Sequence, residues 1–432
     1  MISIEALYSL FLKSPSVTTD TRNIRKGDIF FALKGPNFNA NSMALKALES
    51  GAAYAVVDED EFAKDPRCLL CKDVLKTLQA LALFHRQQLR IPFIGITGSN
   101  GKTTTKELAH AVLSKKFRTL ATSGNLNNHI GVPLTLLSIT SKHEVAIIEM
   151  GANHPGEIRD LCALCLPDYG LITSIGKAHL EGFGSFEGVI KAKTELFDFI
   201  RKNKGTLFVN ADNDLLMGLS SGIKRVLYGQ KTGGLVKGNI TTMDPCLSIE
   251  WQKNEQGSKQ LVHSQLIGQY NLDNILASIS IGIQLGVPDK LISEALAEYA
   301  PSNNRSQFTR TEHNALILDA YNANPSSLSA AIENFAQLEG KKKILIAGDM
   351  LELGLESTQE HRNIARLIQS KKFYRVILIG KEFEKIKGEI EADFYSGSKD
   401  ALEWLKKNPI KGSIILIKGS RGVKLETLVE AL

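Results

Sequence analysis

The chain has 432 residues, 43% hydrophobic and 23% charged, with a net charge of +6. At roughly 100–200 residues per domain this length predicts two to four domains, and the ordinary composition excludes a disordered or collagen-like chain. No apolar run reaches the ~18–20 residues of a membrane helix, the five cysteines are too sparse for a disulfide scaffold, and the basic residues are scattered rather than gathered into a nucleic-acid patch.

We therefore expect a cytoplasmic protein with no membrane insertion and no nucleic-acid partner; a mild basic excess suits a small anionic substrate. The first block, 1–88, holds strand-like runs at 28–33 and 53–57 and a helix at 74–89. The second, 89–302, opens with an apolar strand at 93–97. Strands at 145–148, 171–173 and 206–209 then alternate with helices at 103–117, 157–165 and 186–202, the pattern of βαβ units in a parallel sheet. Segment 225–267, richer in Gly and Thr, reads as a β excursion, followed by helices at 271–285 and 289–299. A turn-rich stretch leads into the third block, 303–432, with strands at 315–319, 343–347, 375–379 and 413–417. The expected fold is α/β in three domains: a small N-terminal α/β domain, a central P-loop parallel-sheet domain with a β excursion, and a C-terminal Rossmann-like domain.

The strongest chemical signal is TGSNGKTTT at 97–105. It follows a strand and opens a helix, the context in which a glycine-rich loop cradles phosphates. Gly98 and Gly101 let backbone N–H groups turn inward, and the helix N-terminus adds positive charge. Lys102 can reach the β- and γ-phosphates and Thr103 can hold Mg²⁺. The generic pattern has a glycine where Ile96 stands, and Gly95 and Gly98 supply the flexibility instead. The alternative is a plain glycine-rich strand–helix turn; Gly-Lys-Thr at the junction favours nucleotide.

Strand 145–148 runs into Glu149, at the end of a parallel strand that faces a ligand crevice. Glu149 is thus either a Mg²⁺ ligand or a solvated strand-end residue. His179 follows the next strand on the same rim, as a ligand or a surface histidine. Lys191 and Lys193 lie on a helix whose default is a solvated face. Cys68/Cys71 and Cys162/Cys165 have zinc-type spacing, but a domain boundary separates the pairs and their Leu-rich spacers read as core.

Together these segments resemble the Mur ligases, the ATP-dependent amide ligases of peptidoglycan precursor synthesis. The resemblance spans essentially the whole chain: TGSNGKTTTK (97–106), NLNNHIGVP (125–133), EMGA (149–152), AHLE (178–181), Asn271 to Asn274, DAYNANP (319–325), GDMLELG (348–354) and KGSRG (418–422). In the first block, TDTR (19–22) and GDIFFAL (27–33) are similar to the family's uridine-nucleotide-binding domain. Within the family, YNANP and GDMLELG point to the activity that adds D-alanyl-D-alanine to UDP-N-acetylmuramoyl-tripeptide.

The resemblance implies ATP and two Mg²⁺ ions. Gly98, Ser99, Asn100, Gly101, Lys102, Thr103 and Thr104 would hold the phosphates. Thr103 and Glu149 would bind one Mg²⁺ and His179 the second. Lys193 matches the lysine that the family carbamylates. Asn274 would contact adenine, Arg305 the γ-phosphate, and Asp319 and Tyr321 ATP from the third domain. Lys102, His179, Lys193 and Arg305 form the implied catalytic set; Thr21, Arg22, Asn125 and Asn128 would bind the uridine substrate. Lys418, Ser420 and Asp349 would belong to the third-domain half of the cleft. The chain departs from the family at Asn303-Asn304-Arg305, where Pro-Gly-Arg is usual, and at Phe38-Asn39-Ala40-Asn41, where a Gly-His pair is common. A monomer is expected. A P-loop switch, the rival from another class, would not need a uridine domain or the Glu149, His179 and Lys193 set.

Overall fold

A computed structural model describes residues 1–231, 234–301, 304–340 and 342–432, so the expected boundary at 302/303 lies outside the described residues. Three larger sheets occur among them. The first joins Val17–Thr18, Ile29–Phe31, Tyr54–Val57 and Cys68–Leu70, all parallel. The second has nine strands in the order Gln260–Ile267, Cys246–Lys253, Val236–Met243, Lys224–Gly229, Thr206–Asn210, Tyr169–Ile172, Phe93–Thr97, Val145–Glu149 and Thr119–Ala121. The third runs Gln307–Arg310, Ala315–Asp319, Ile414–Lys418, Lys343–Gly348, Arg375–Ile379 and Asp393–Tyr395, parallel except for its first pair.

The central strands of the second sheet are covered on both faces, which is why Phe93–Thr97 and Val145–Glu149 read as unbroken apolar runs; every residue in both is buried. One face packs Leu108 and Val112 of helix Lys102–Ser114 against Ile275 and Ile279 of helix Asn271–Gln284. The other buries Leu161 of helix Glu157–Cys165 and Val189, Leu196 and Ile200 of helix Phe186–Lys202.

The β excursion does not stand apart from the main sheet; it extends its edge. Lys224–Gly229 pairs parallel with Thr206–Asn210, and two antiparallel hairpin pairings follow. Its inward side chains anchor it: Leu247, Ile249 and Trp251 are buried, and the Trp251 indole N–H donates to Ser293 Oγ at 3.2 Å. The strands that the sequence leaves unread, among them Val17–Thr18, Cys68–Leu70, Thr119–Ala121, Gln307–Arg310 and Asp393–Tyr395, are two to four residues long, and each of these five is the outermost of its sheet. Too few alternations fit in such a strand to mark it.

Helix Val74–Gln88 belongs as much to the second unit as to the first. Gln79 Nε2 donates to His129 O at 3.0 Å, His85 Nε2 lies 2.8 Å from Ile139 O, and Arg86 donates to Cys165 O and Leu166 O. The cysteine pairs serve packing. Cys68 and Cys71 are buried in the first unit, while Cys162 and Cys165 each place Sγ 3.8 Å from Met150 Sδ. Burial pushes the Cys165 thiol up to about 12, leaving it a small apolar group. Among the described residues no helix is long and apolar enough to cross a membrane.

Candidate active site

The C-terminal ends of the second sheet's central strands face the third unit across a cavity of about 900 Å³. Strand Phe93–Thr97 delivers the phosphate loop into it, and helix Lys102–Ser114 begins at Gly101. Gly98 (φ +148°) and Gly101 (φ +81°) take backbone conformations that side chains disfavour, and a Cβ at either would collide, with Thr173 or with Asn274. Thr173 and Ser174, after the neighbouring strand, pin the loop: Ser99 N donates to Ser174 O at 2.8 Å, Asn100 N to Ser174 Oγ at 2.9 Å, and the Thr173 hydroxyl to Asn100 O at 2.5 Å. Lys102 curls back so that Nζ donates to Gly98 O at 2.6 Å and Ser99 O at 3.3 Å. Burial lowers its pKa; the Glu149 charge works against that shift and Arg305 adds to it.

Glu149 is 1% exposed, so it is not a solvated strand-end residue. Its Oε1 accepts from the Thr103 hydroxyl at 3.2 Å and from Asn127 Nδ2 at 2.9 Å, while its buried Oε2 has no hydrogen-bond partner. A buried carboxylate oxygen without a donor is costly. Set beside a threonine hydroxyl, it forms a hard-oxygen donor set that fits Mg²⁺. Asn127 was not singled out by the sequence. It sits in an Asn-rich run, and only the approach of that loop to strand Val145–Glu149 selects it over Asn125 and Asn128. Those two also line the cavity, but Asn128 Oδ1 is engaged locally, accepting from Ile130 N and Gly131 N at the start of helix Gly131–Leu137.

His179 has a left-handed backbone (φ +52°) and places Nδ1 2.5 Å from Glu352 Oε2 of the third unit, a contact without hydrogen-bond geometry. Its ring lies 6.4 Å from that of Phe183, and Lys193 Nζ sits 5.3 Å from the same ring. Lys193 is not on a solvated helix face. It is 1% exposed, directly behind the cavity wall at Ala152, whose carbonyl is 3.4 Å from Nζ. Burial, reinforced by the Lys102 charge, lowers its pKa to about 7.

From the third unit, the Arg305 guanidinium stacks 3.7 Å over the Tyr321 ring, with its buried Nε unpartnered. Asp319 pairs with Lys418 Nζ at 2.6 Å and accepts from Ser306 N at 3.3 Å. Asn274 reaches the loop from helix Asn271–Gln284, accepting from Thr105 Oγ1 at 3.0 Å and donating to Asn271 Oδ1 at 2.8 Å.

The cavity thus gathers Ser99 to Thr104, Asn125, Asn128, Glu149, His179, Asn274, Arg305, Asp319, Tyr321 and Lys418. Gly98 and Lys193 lie immediately behind its wall. Thr21 and Arg22 are elsewhere, in a short turn of the first unit where Asp20 holds the Arg22 guanidinium at 2.8 Å. Asp349 and Ser420 do not line the cavity. Asp349 accepts from Glu382 N and Phe383 N at the start of helix Lys381–Glu384, and Ser420 Oγ bridges Leu351 N and Ala323 O.

Residues 96–282 match the Mur ligase middle domain and residues 304–421 the Mur ligase glutamate ligase domain. Over 96% of its length the chain is 36% identical to a UDP-N-acetylmuramoyl-tripeptide–D-alanyl-D-alanine ligase of Bacillus subtilis, covering 92% of that protein. The chain belongs to the Mur ligase family. A ligase of the same name from Escherichia coli is 35% identical, with 96% and 93% covered. Among solved structures, MurF from Acinetobacter baumannii superposes with a TM-score of 0.87 at 30% identity, over 96% of this chain and 92% of that one. MurF ligase from Thermotoga maritima in complex with ADP gives 0.85 at 27% identity, over 98% and 97%.

In this Mur ligase the lowered pKa of Lys193 has a thermodynamic consequence. Between about pH 7 and its ordinary value of 10.5 the unfolded chain protonates this lysine and the native state does not, so folding loses stability as pH falls through that window. Lys193→Met is expected to melt a few degrees higher than the parent at pH 7. The gap should shrink as pH rises toward 10, as read by thermal melts across the series.

Proposed function

We propose that this Mur ligase uses ATP to join D-alanyl-D-alanine to UDP-N-acetylmuramoyl-tripeptide in peptidoglycan precursor synthesis. The observation that carries the reading is the single cavity in which a phosphate loop, a buried acid with one orphan oxygen, and the Arg305, Asp319 and Lys418 set face one another. Segment 1–88 would hold the uridine end through Thr21 and Arg22, 89–302 the ATP, and 303–432 the incoming dipeptide. Diffusible, nucleotide-linked substrates of this kind support a cytoplasmic place of work.

The reaction joins two anions, a carboxylate and a triphosphate, and their repulsion is the first barrier. The tripeptide's terminal carboxylate oxygen attacks the γ-phosphorus and ADP leaves, giving an acyl phosphate. The dipeptide amine then attacks the acyl carbon, the amine proton departs, and inorganic phosphate leaves as the amide forms. Lys102 turns from the Gly98 and Ser99 carbonyls to the phosphate oxygens, while the loop N–H groups and the helix N-terminus hold the rest of the triphosphate. Arg305 adds positive charge from the opposite wall, held flat by Tyr321. Thr103 and Glu149 would hold one Mg²⁺ and His179 a second, and these ions would offset the triphosphate charge. Enclosure between the two units keeps water from the acyl phosphate.

A lysine with a pKa near 7 has a neutral amine available at physiological pH. Its nitrogen can bond to the carbon of CO₂ and release a proton to solvent, leaving a carbamate. The resulting anion would sit beside Phe183, the ring that His179 also faces; as a cation, Lys193 makes no ion pair within 4 Å among the described residues and, of acidic groups, feels only the more distant Glu157 and Glu195 charges.

Phosphate release from ATP is the test, with the tripeptide substrate and with or without D-alanyl-D-alanine. Release that needs both, with a product of the joined mass, is the expected result. Release indifferent to D-alanyl-D-alanine but dependent on another amine would overturn the substrate assignment.

A further inference from the structure

The third unit is bonded directly to the phosphate loop, through a residue with no part in the chemistry above. Asn324 begins helix Pro325–Gln337 as a capping box: its Oδ1 accepts from Ser327 N at 2.9 Å, and Ser327 Oγ accepts from Asn324 N at 3.1 Å. The backbone donor fixes which end of the amide is oxygen. The other end, Nδ2, donates to Asn100 Oδ1 at 2.8 Å. Asn100 is itself locked into the second unit by its backbone, through Ser174 Oγ at its N–H and Thr173 Oγ1 at its carbonyl. The Asn324 amide therefore has both ends committed, one to its own helix and one to the loop. Beside it, Ser326 Oγ accepts from Lys177 N at 3.2 Å, and Lys177 Nζ pairs with Glu360 at 2.7 Å, so the bridge sits within a local seam between the two units.

We propose that Asn324 is a positioning residue that fixes the phosphate loop through Asn100 when the third unit closes, so that nucleotide binding and closure favour each other. The proposal rests on the ATP-ligase reading of the same cavity. Linkage makes the coupling reciprocal: the factor by which closure tightens nucleotide binding is the factor by which nucleotide favours closure. One part-buried neutral hydrogen bond supports a factor of roughly 2–10.

Asn324→Ser tests this. Serine keeps a capping oxygen for Ser327 N but is too short to reach Asn100. Asn100→Ala breaks the same bond from the other side without touching the cap, should the first variant fold poorly. The measurements are the dissociation constant of a non-hydrolysable ATP analogue by calorimetry, and the nucleotide-induced compaction of the chain by small-angle X-ray scattering. We expect each variant to bind roughly 2–10-fold more weakly and to compact less, with KM for ATP raised more than kcat is lowered. The double variant should lose no more affinity than Asn100→Ala alone. Parental affinity and compaction in Asn324→Ser, or strictly additive losses in the double variant, would overturn the bridge while leaving the ATP-ligase reading intact. Failure of the parent itself to bind ATP analogue or ADP would overturn both.

Discussion

Lys102→Ala is expected to reduce kcat/KM for ligation by at least about 10³-fold, the scale on which preorganised charge at a developing anion acts. In the resting site Nζ is already inside the phosphate loop, 2.6 Å from Gly98 O, so its approach to phosphate is a short rotation rather than a search. Burial disfavours its charge, and an arriving triphosphate reverses that balance by pairing it. The truncation also leaves the Gly98 and Ser99 carbonyls without a donor, which water entering the open cavity can replace. Fold should therefore survive and activity should not. Circular dichroism and melting temperature near those of the parent, together with phosphate release at background, are the expected pair of readings.

Glu149→Gln is expected to lower turnover by about 10²-fold or more, since it removes the charge of the proposed Mg²⁺ ligand while keeping its shape. The amide retains an acceptor for Thr103 and Asn127, so packing around it is preserved. What changes is Oε2, the buried carboxylate oxygen with no partner. A structural carboxylate in that position would be hydrogen-bonded; under the proposed reading this oxygen faces the cation. The parent should therefore melt at higher temperature as Mg²⁺ is raised, by mass action on the native state, and the variant should respond much less. Equal Mg²⁺ stabilisation of both proteins would place the ion elsewhere.

What the sequence made legible was local, and what it hid was assembled at a distance. The phosphate loop is readable because strand, glycines, lysine and helix start occupy nine consecutive residues, and each conformational demand has its own residue. Helices Glu157–Cys165 and Phe186–Lys202 fall where expected because their apolar periodicity is continuous. Glu149 and Lys193 could not be separated from solvated alternatives by their own segments. Their burial is set by what covers them, the Asn125–Asn128 loop for one and Phe183 with Ala152 for the other. Asn127, Asn324 and Glu352 act across 22, 224 and 173 positions of chain, and no local pattern encodes such pairings. The edge extension from Lys224 to Ile267 was legible as β structure, but its sheet partner was not, because register belongs to the pairing and not to the strand. The family resemblance supplied roles for residues that physics alone left undecided, and geometry then sorted them, placing Lys418 in the cavity and Asp349 at a helix start outside it.

The proposed chemistry turns on a carboxylate that becomes an acyl phosphate in the cavity between the second and third sheets. The most direct test labels the terminal carboxylate of UDP-N-acetylmuramoyl-tripeptide with a heavy oxygen isotope and analyses, by mass spectrometry, the inorganic phosphate released during ligation. Attack of that carboxylate on the γ-phosphorus predicts that the label moves into phosphate, one labelled oxygen for each amide formed. Phosphate free of label, formed alongside normal amide product, would contradict the mechanism.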